Sequence, residues 1–135
     1  MLDHQTLSVF IDRDWRDVYE AIWRPETFPA WASGLSSGNL RRDGAVWTAQ
    51  GPDGPIRIRF SPHNEYGVMD HVVEADDIVL AEVPMRVFAN GAGAQVMIVL
   101  FRQPDMSDAA YARDAQWVQR DLAALQAMFD AGELP

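Results

Sequence analysis

The chain contains no cysteine. Disulfides, thiolate nucleophiles and cysteine-ligated metals are therefore excluded. Positive charge is also scarce: 11 basic side chains against 20 acidic ones give a net charge of −9. A surface of that sign repels phosphate backbones and anionic headgroups, so nucleic acid and anionic membrane surfaces are poor partners. Long apolar runs are missing, and no stretch approaches the ~20 residues of a membrane span. Met1 to Gln5 shows no basic region leading into an apolar core, so no secretion signal is expected. These absences lead to the expectation of a cytoplasmic protein. The histidines His4, His63 and His71 lack metal-ligand spacing, and neither an HExxH nor an EF-hand pattern occurs. The glycine-rich turn NGAG lies between strands rather than before a helix, so it is no phosphate cradle. No metal and no other cofactor is expected.

What is present suffices for one domain spanning Met1 to Pro135. Hydrophobic residues make up 48% of 135, enough for one core. Tyr111, Ala115, Val118, Leu122, Leu125 and Phe129 recur at alternating steps of four and three. That spacing predicts a long amphipathic helix over Ser107 to Asp130, capped by Ser107 and ended by Gly132. Upstream, Thr6 to Ile11 alternates like a strand. Asp14 can cap a short helix from Trp15 to Trp23, burying Val18, Ile22 and either Trp15 or Tyr19. Pro25 breaks it and opens a second short helix whose apolar face is Phe28, Trp31 and Ala32.

From Asn39 onward the pattern is strand and turn. Strands are expected at Leu40 to Arg42, Ala45 to Gln50, Ile56 to Phe60, Gly67 to Glu74, Ile78 to Phe88 and Ala94 to Arg102. The short turns between them imply antiparallel neighbours. A turn centred on Gly91 and Ala92 sets Val87 opposite Val96, Met85 opposite Ile98 and Val83 opposite Leu100, a wholly apolar inner face. A three-residue loop at Ala75, Asp76 and Asp77 then turns Met69, His71 and Val73 inward; a two-residue loop would turn Asp70 inward instead. The first register is preferred because it buries one imidazole rather than carboxylates.

Three stretches carry a family resemblance: IDRDWRDVYEAIWRPETFPAWASG (Ile11 to Gly34), NEYGVMDHVV (Asn64 to Val73) and VPMRVFANGAGAQVMIVLFRQPDMSDAAYARD (Val83 to Asp114). Together with the element order they resemble the START-like superfamily, in particular its polyketide cyclase/dehydrase-like branch; birch-pollen-type allergens and lipid-transfer domains share the superfamily. The resemblance implies an α+β helix-grip fold. A curved antiparallel sheet wraps the long C-terminal helix, two short helices follow the first strand, and a cavity lies between sheet and helix.

The expected cavity walls are Trp47, Phe60, Met69, His71, Met85, Val87, Tyr111 and Val118. His71 is the candidate catalytic residue, because an imidazole titrates near working pH and can move a proton on an enolisable ligand. The same ring can equally be held by a hydroxyl or a backbone carbonyl. Asp70, its strand neighbour, points to the other face and cannot orient it. Arg57 and Arg59 alternate with Ile56, Ile58 and Phe60, which places them in solvent. Arg86 shares an outer face with Met97, Val99 and Phe101, apolar enough to need a cover such as a second subunit. Trp31, Trp47, Tyr66 and Trp117 are further candidate cavity aromatics or ordinary core. The pattern Gly34-Leu35-Ser36-Ser37-Gly38 matches G-x-S-x-G, but a nucleophile elbow needs a strand-to-helix turn in a parallel sheet. It is read as a loop.

Three functions follow. The first is binding of a small hydrophobic or aromatic ligand, oriented by His71 or a tyrosine. The second is a cyclase- or dehydratase-type enzyme with His71 as acid or base, as the resemblance implies. The third is a protein-interaction module using the apolar outer face, for which a homodimer is one form.

Overall fold

A computed structural model describes residues 1–33, 40–51 and 54–134. Strand β1 (His4–Ile11) leads into helix α1 (Trp15–Ile22). Asp14 caps α1 by accepting from the Arg16 backbone N–H at 2.9 Å, and Val18, Tyr19 and Ile22 form its buried side. The second short helix, Pro25–Ala30, is a 3-10 helix. Pro25 opens it, where no N–H is needed, and Pro29 inside it lacks the N–H that would continue an α-helical ladder, so the helix stays a short, tight turn.

Seven strands follow: β2 (Arg41–Asp43), β3 (Val46–Gly51), β4 (Gly54–Phe60), β5 (His71–Ala75), β6 (Ile78–Val83), β7 (Met85–Asn90) and β8 (Gly93–Phe101). They pair antiparallel in two groups, β2-β3-β4-β5-β6 and β1-β8-β7. The expected strand from Ile78 to Phe88 is thus two strands, broken at Pro84. Proline donates nothing to a ladder, and here its carbonyl accepts from Val99 N at 3.0 Å while the chain changes partners. Met85 pairs with Ile98 and Val87 with Val96, as the turn arithmetic required. The expected pairing of Val83 with Leu100 does not form, because Val83 already belongs with His71 beyond the break.

The expected strand Gly67 to Glu74 is also divided. Gly67 and Met69 bond to β7, Met69 N to Met85 O at 2.8 Å and Val87 N to Gly67 O at 2.9 Å, whereas β5 begins only at His71. At the joint, Asp70 Oδ1 accepts the Met85 N–H at 2.9 Å. This shared corner joins the two groups into one curved surface. Gly67 makes it possible: its φ is +69°, and a Cβ there would collide with the Val87 carbonyl oxygen.

The loop between β5 and β6 corrects the expected three-residue turn. It has two residues, Asp76 and Asp77, both at positive φ, with Ala75 opposite Ile78. Two residues of that backbone suit a tight hairpin. The inward face is nevertheless Met69, His71 and Val73. A register shift sets Glu74 opposite Val79 but Val73 opposite Ala81. Leu80 is the extra residue, and one extra residue reverses facing.

Helix α2 (Asp108–Ala131) closes the fold. Ser107 caps it through Ala110 N at 3.1 Å, and Gly132 ends it in the left-handed region. Leu122, Leu125 and Phe129 are buried, and the helix packs mainly on β1. They join Ile11, Ile22, Met85, Val87 and Val96 in one core. Among the described residues, no helix is long and apolar enough to cross a membrane.

Candidate functional site

Residues directly opposite each other on antiparallel strands share a face. Ile58 on β4 is opposite Val73 on β5, and Phe60 is opposite His71, which is in turn opposite Val83 on β6. These side chains form the concave floor of a cavity of about 250 Å³. Val118 and Asp121 of α2 roof it, Phe28 and Trp31 close one end, and Ile98 of β8 borders the other. The walls are therefore almost wholly apolar, with ionisable groups at two places.

The first is His71. Its Nδ1 lies 3.0 Å from the Met69 carbonyl oxygen. A carbonyl can only accept, so Nδ1 carries the proton and Nε2 holds a lone pair. Nε2 has no hydrogen-bond partner among the described residues. The ring is further fixed by Phe28, edge-on at 5.6 Å, and Phe60, tilted at 5.6 Å. Burial holds the His71 pKa below the usual 6.5, against the opposing pull of the Met69 bond and the Asp70 charge. The imidazole is neutral at neutral pH and offers an acceptor to the cavity.

The second is Asp121, which the sequence analysis did not single out. Burial raises its pKa, while hydrogen bonds from Ser33 oppose the rise; the Ser33 N–H donates to Oδ1 at 3.1 Å. Asp121 follows Val118 by three positions and precedes buried Leu122. A carboxylate at the margin of the apolar stripe was the signal that could have found it. Trp31 adds a third polar atom, since its Nε1 is buried without an acceptor among the described residues.

Of the residues expected in the walls, Phe60, His71 and Val118 line this cavity. Met69, Met85 and Val87 are buried in the core beyond it, with α1 packed on β7. Trp47 lines a neighbouring cleft with Trp23 and Phe60. Tyr111 is spent on structure: its hydroxyl donates to Leu100 O at 3.3 Å, and Arg102 lies over its ring. Tyr66 and Trp117 are exposed. Arg57 is exposed, and Arg59 pairs with Glu74 at 2.7 Å. Arg86 forms a two-pronged pair with Asp70, at 3.0 and 2.9 Å, which holds that carboxyl below its usual range. On the outer face Met97, Val99 and Phe101 are half-buried, while Phe10 and Phe88 flanking Gln95 are exposed. Gly34 to Gly38 lies outside the described residues.

No family model and no curated protein matches the sequence. Solved structures do match the fold. XoxI from Bacillus cereus superposes with a TM-score of 0.73 at 20% identity, covering 93% of this chain and 94% of that one. A START superfamily protein from Mycobacterium smegmatis gives 0.67 at 8% identity, over 95% and 97% of the two chains. DynU16, a protein in the dynemicin biosynthetic locus, gives 0.66 at 16% identity, over 96% of this chain and 48% of that one. A curved antiparallel sheet gripping a long C-terminal helix, shared with these neighbours over nearly the whole of this chain, gives this protein the helix-grip fold.

Proposed function

We propose that the chain binds a small apolar or aromatic ligand bearing one O–H or N–H donor, in the cavity between sheet and α2. The observation that carries this reading is His71: a neutral ring, fixed by Met69, Phe28 and Phe60, with Nε2 unpartnered among the described residues at an apolar cavity. Apolar walls supply affinity, and one acceptor among them supplies orientation. The test is a titration followed by tryptophan emission, since Trp31 lines the cavity. 2-Naphthol should bind more tightly than 2-methylnaphthalene, by about tenfold for one buried hydrogen bond. His71→Leu should erase that difference while still binding the hydrocarbon. Equal binding of the two probes by the parent protein would sink the role given to His71.

A second reading is favoured by one observation. His71, with a lowered pKa, and Asp121, with a raised one, border the same cavity. The two shifts bring the groups toward each other: burial keeps the imidazole neutral, as a base must be, and makes the carboxyl hold its proton longer, as an acid must. In the cyclase- or dehydratase-type chemistry suggested by the sequence resemblance, Nε2 would take a proton next to a carbonyl and Asp121 would return one to a leaving oxygen. DynU16, from a biosynthetic locus, is a structural neighbour in keeping with this reading. His71→Ala and Asp121→Asn should each abolish turnover of an enolisable polyketide-like substrate while leaving the fold intact. Turnover that survives both changes would leave binding alone.

A further inference from the structure

The cleft that receives Trp47 has a volume of about 450 Å³ and differs in character from the cavity. Its walls include Trp23, Trp47 and Phe60, but also Arg24 and Arg42. Every basic residue of this chain is an arginine. The acidic partners of Arg59, Arg86, Arg102 and Arg113 are all within salt-bridge distance. Arg24 and Arg42 have no such partner among the described residues; Arg13, Arg16, Arg41, Arg57 and Arg120 have none either, but Arg24 and Arg42 are the two that line this cleft. Arg24 lies over the Trp23 ring at 5.1 Å. Among the described residues Arg42 uses its Nε alone, donating to Gly44 O at 3.2 Å. One acidic residue, Glu26, also lines the cleft, leaving an excess of one positive charge on a protein of net charge −9.

Strand pairing connects this cleft to the cavity. Arg42 is opposite Trp47, Trp47 opposite Ile58, and Ile58 opposite Val73. The four share the concave face and form one row across β2, β3, β4 and β5. The row begins with a guanidinium at the sheet edge and ends on the cavity floor. Three strand spacings separate its ends, about 14 Å, and the length of the arginine side chain shortens the gap to be bridged. Phe60 borders both spaces. A third donor, Trp23 Nε1, has no acceptor among the described residues.

We infer that the ligand is an amphipathic carboxylic acid, its carboxylate held by Arg24 and Arg42 and its apolar body passing Trp47 and Phe60 toward His71. This rests on the cavity-binding reading and names the ligand class for it. Planar guanidinium groups match carboxylate geometry and stay charged at every working pH. The two aromatic walls accept a flat or chain-like body without needing donors. The cleft is thus both the mouth of the cavity and its selectivity element.

The experiment compares 2-naphthoate with its neutral methyl ester by tryptophan quenching, on the parent and on the double variant Arg24→Gln, Arg42→Gln. Both arginines are exposed, and ester binding serves as the control for an intact cavity. The parent should prefer the acid by about tenfold, and the preference should shrink as salt rises. The double variant should bind acid and ester alike, with ester affinity unchanged. Equal binding of acid and ester by the parent overturns the carboxylate inference and leaves the cavity reading standing. A preference for the acid that survives in the double variant overturns the assignment to these arginines. Failure of either compound to bind the parent overturns the cavity reading and this inference with it.

Discussion

His71 behaves as it does because of three neighbours that are not charged. The Met69 carbonyl fixes its tautomer, and Phe28 and Phe60 flank the ring with apolar surface. Its lowered pKa has a consequence for stability. The unfolded chain takes up a proton near pH 6.5, while the folded chain resists until lower pH. Below 6.5 the unfolded state therefore binds more protons, and stability falls as pH falls; above 6.5 the penalty vanishes. The slope approaches about 1.4 kcal/mol per pH unit for one proton at most. His71→Leu should remove this component, so denaturant midpoints of parent and variant should diverge as pH drops from 7 toward 5. Asp121, with its raised pKa, acts in the opposite sense: the folded state holds its proton longer, so stability is lost as pH rises through its folded value. Because the leucine variant keeps Asp121, His4 and His63, the difference between the two profiles isolates His71. Parallel profiles would mean that the ring is hydrated and not held neutral.

Elements were legible where periodicity and capping agreed, and illegible where the chain changes partner. The stripe from Tyr111 to Phe129 located α2, and Ser107 located its start. Ser107→Ala should cost about 1 kcal/mol, readable as a shift in urea midpoint with unchanged slope. The facing of His71 was reached through an incorrect loop length. The hairpin has two residues rather than three, and the bulge at Leu80 supplies the missing reversal. Alternation along a strand reports facing but not where a bulge falls, since a bulge changes no residue type. The breaks at Asp70 and Pro84 were different, because Pro84 was a visible obstacle to a continuous ladder. What the sequence hid there was the compensation: Asp70 reaches across to the Met85 N–H, and Gly67 lets β7 approach. Gly67→Ala should destabilise the fold by more than about 2 kcal/mol, from positive φ and backbone collision together. An alanine variant with parental stability would show that this corner can move apart freely. The misplacement of Met69, Met85 and Val87 has the same origin. Inward facing is common to core and cavity, and only the position of α1 over β7 separates the two.

For the whole molecule, the cavity lies between parts that must stay together for the chain to be folded at all. Its walls come from β3, β4, β5, β6, β8, α2 and the Pro25–Ala30 segment with the residues just after it. A ligand there contacts the folded state only, so binding adds directly to global stability. At a free concentration of a hundred times Kd the gain is about 2.7 kcal/mol, which for a domain of this size raises Tm by roughly 8 °C or more. 2-Naphthol should show this shift on the parent. Val118 offers the control, because it is a half-buried roof residue outside the tight core formed by Leu122, Leu125 and Phe129. Val118→Phe would place a ring in a space already lined by Phe28 and Phe60. Filling a void adds dispersion contacts that the empty cavity lacks, whereas filling a packed site costs about 1–3 kcal/mol in strain. The expected result is a ligand-free Tm no lower than that of the parent, together with a naphthol-induced shift below about 2 °C. A variant that loses stability and still shows the full shift would mean that the roof is already packed and the ligand sits elsewhere. The cleft between Arg24 and Arg42 would then be the binding site in its own right rather than the mouth of one.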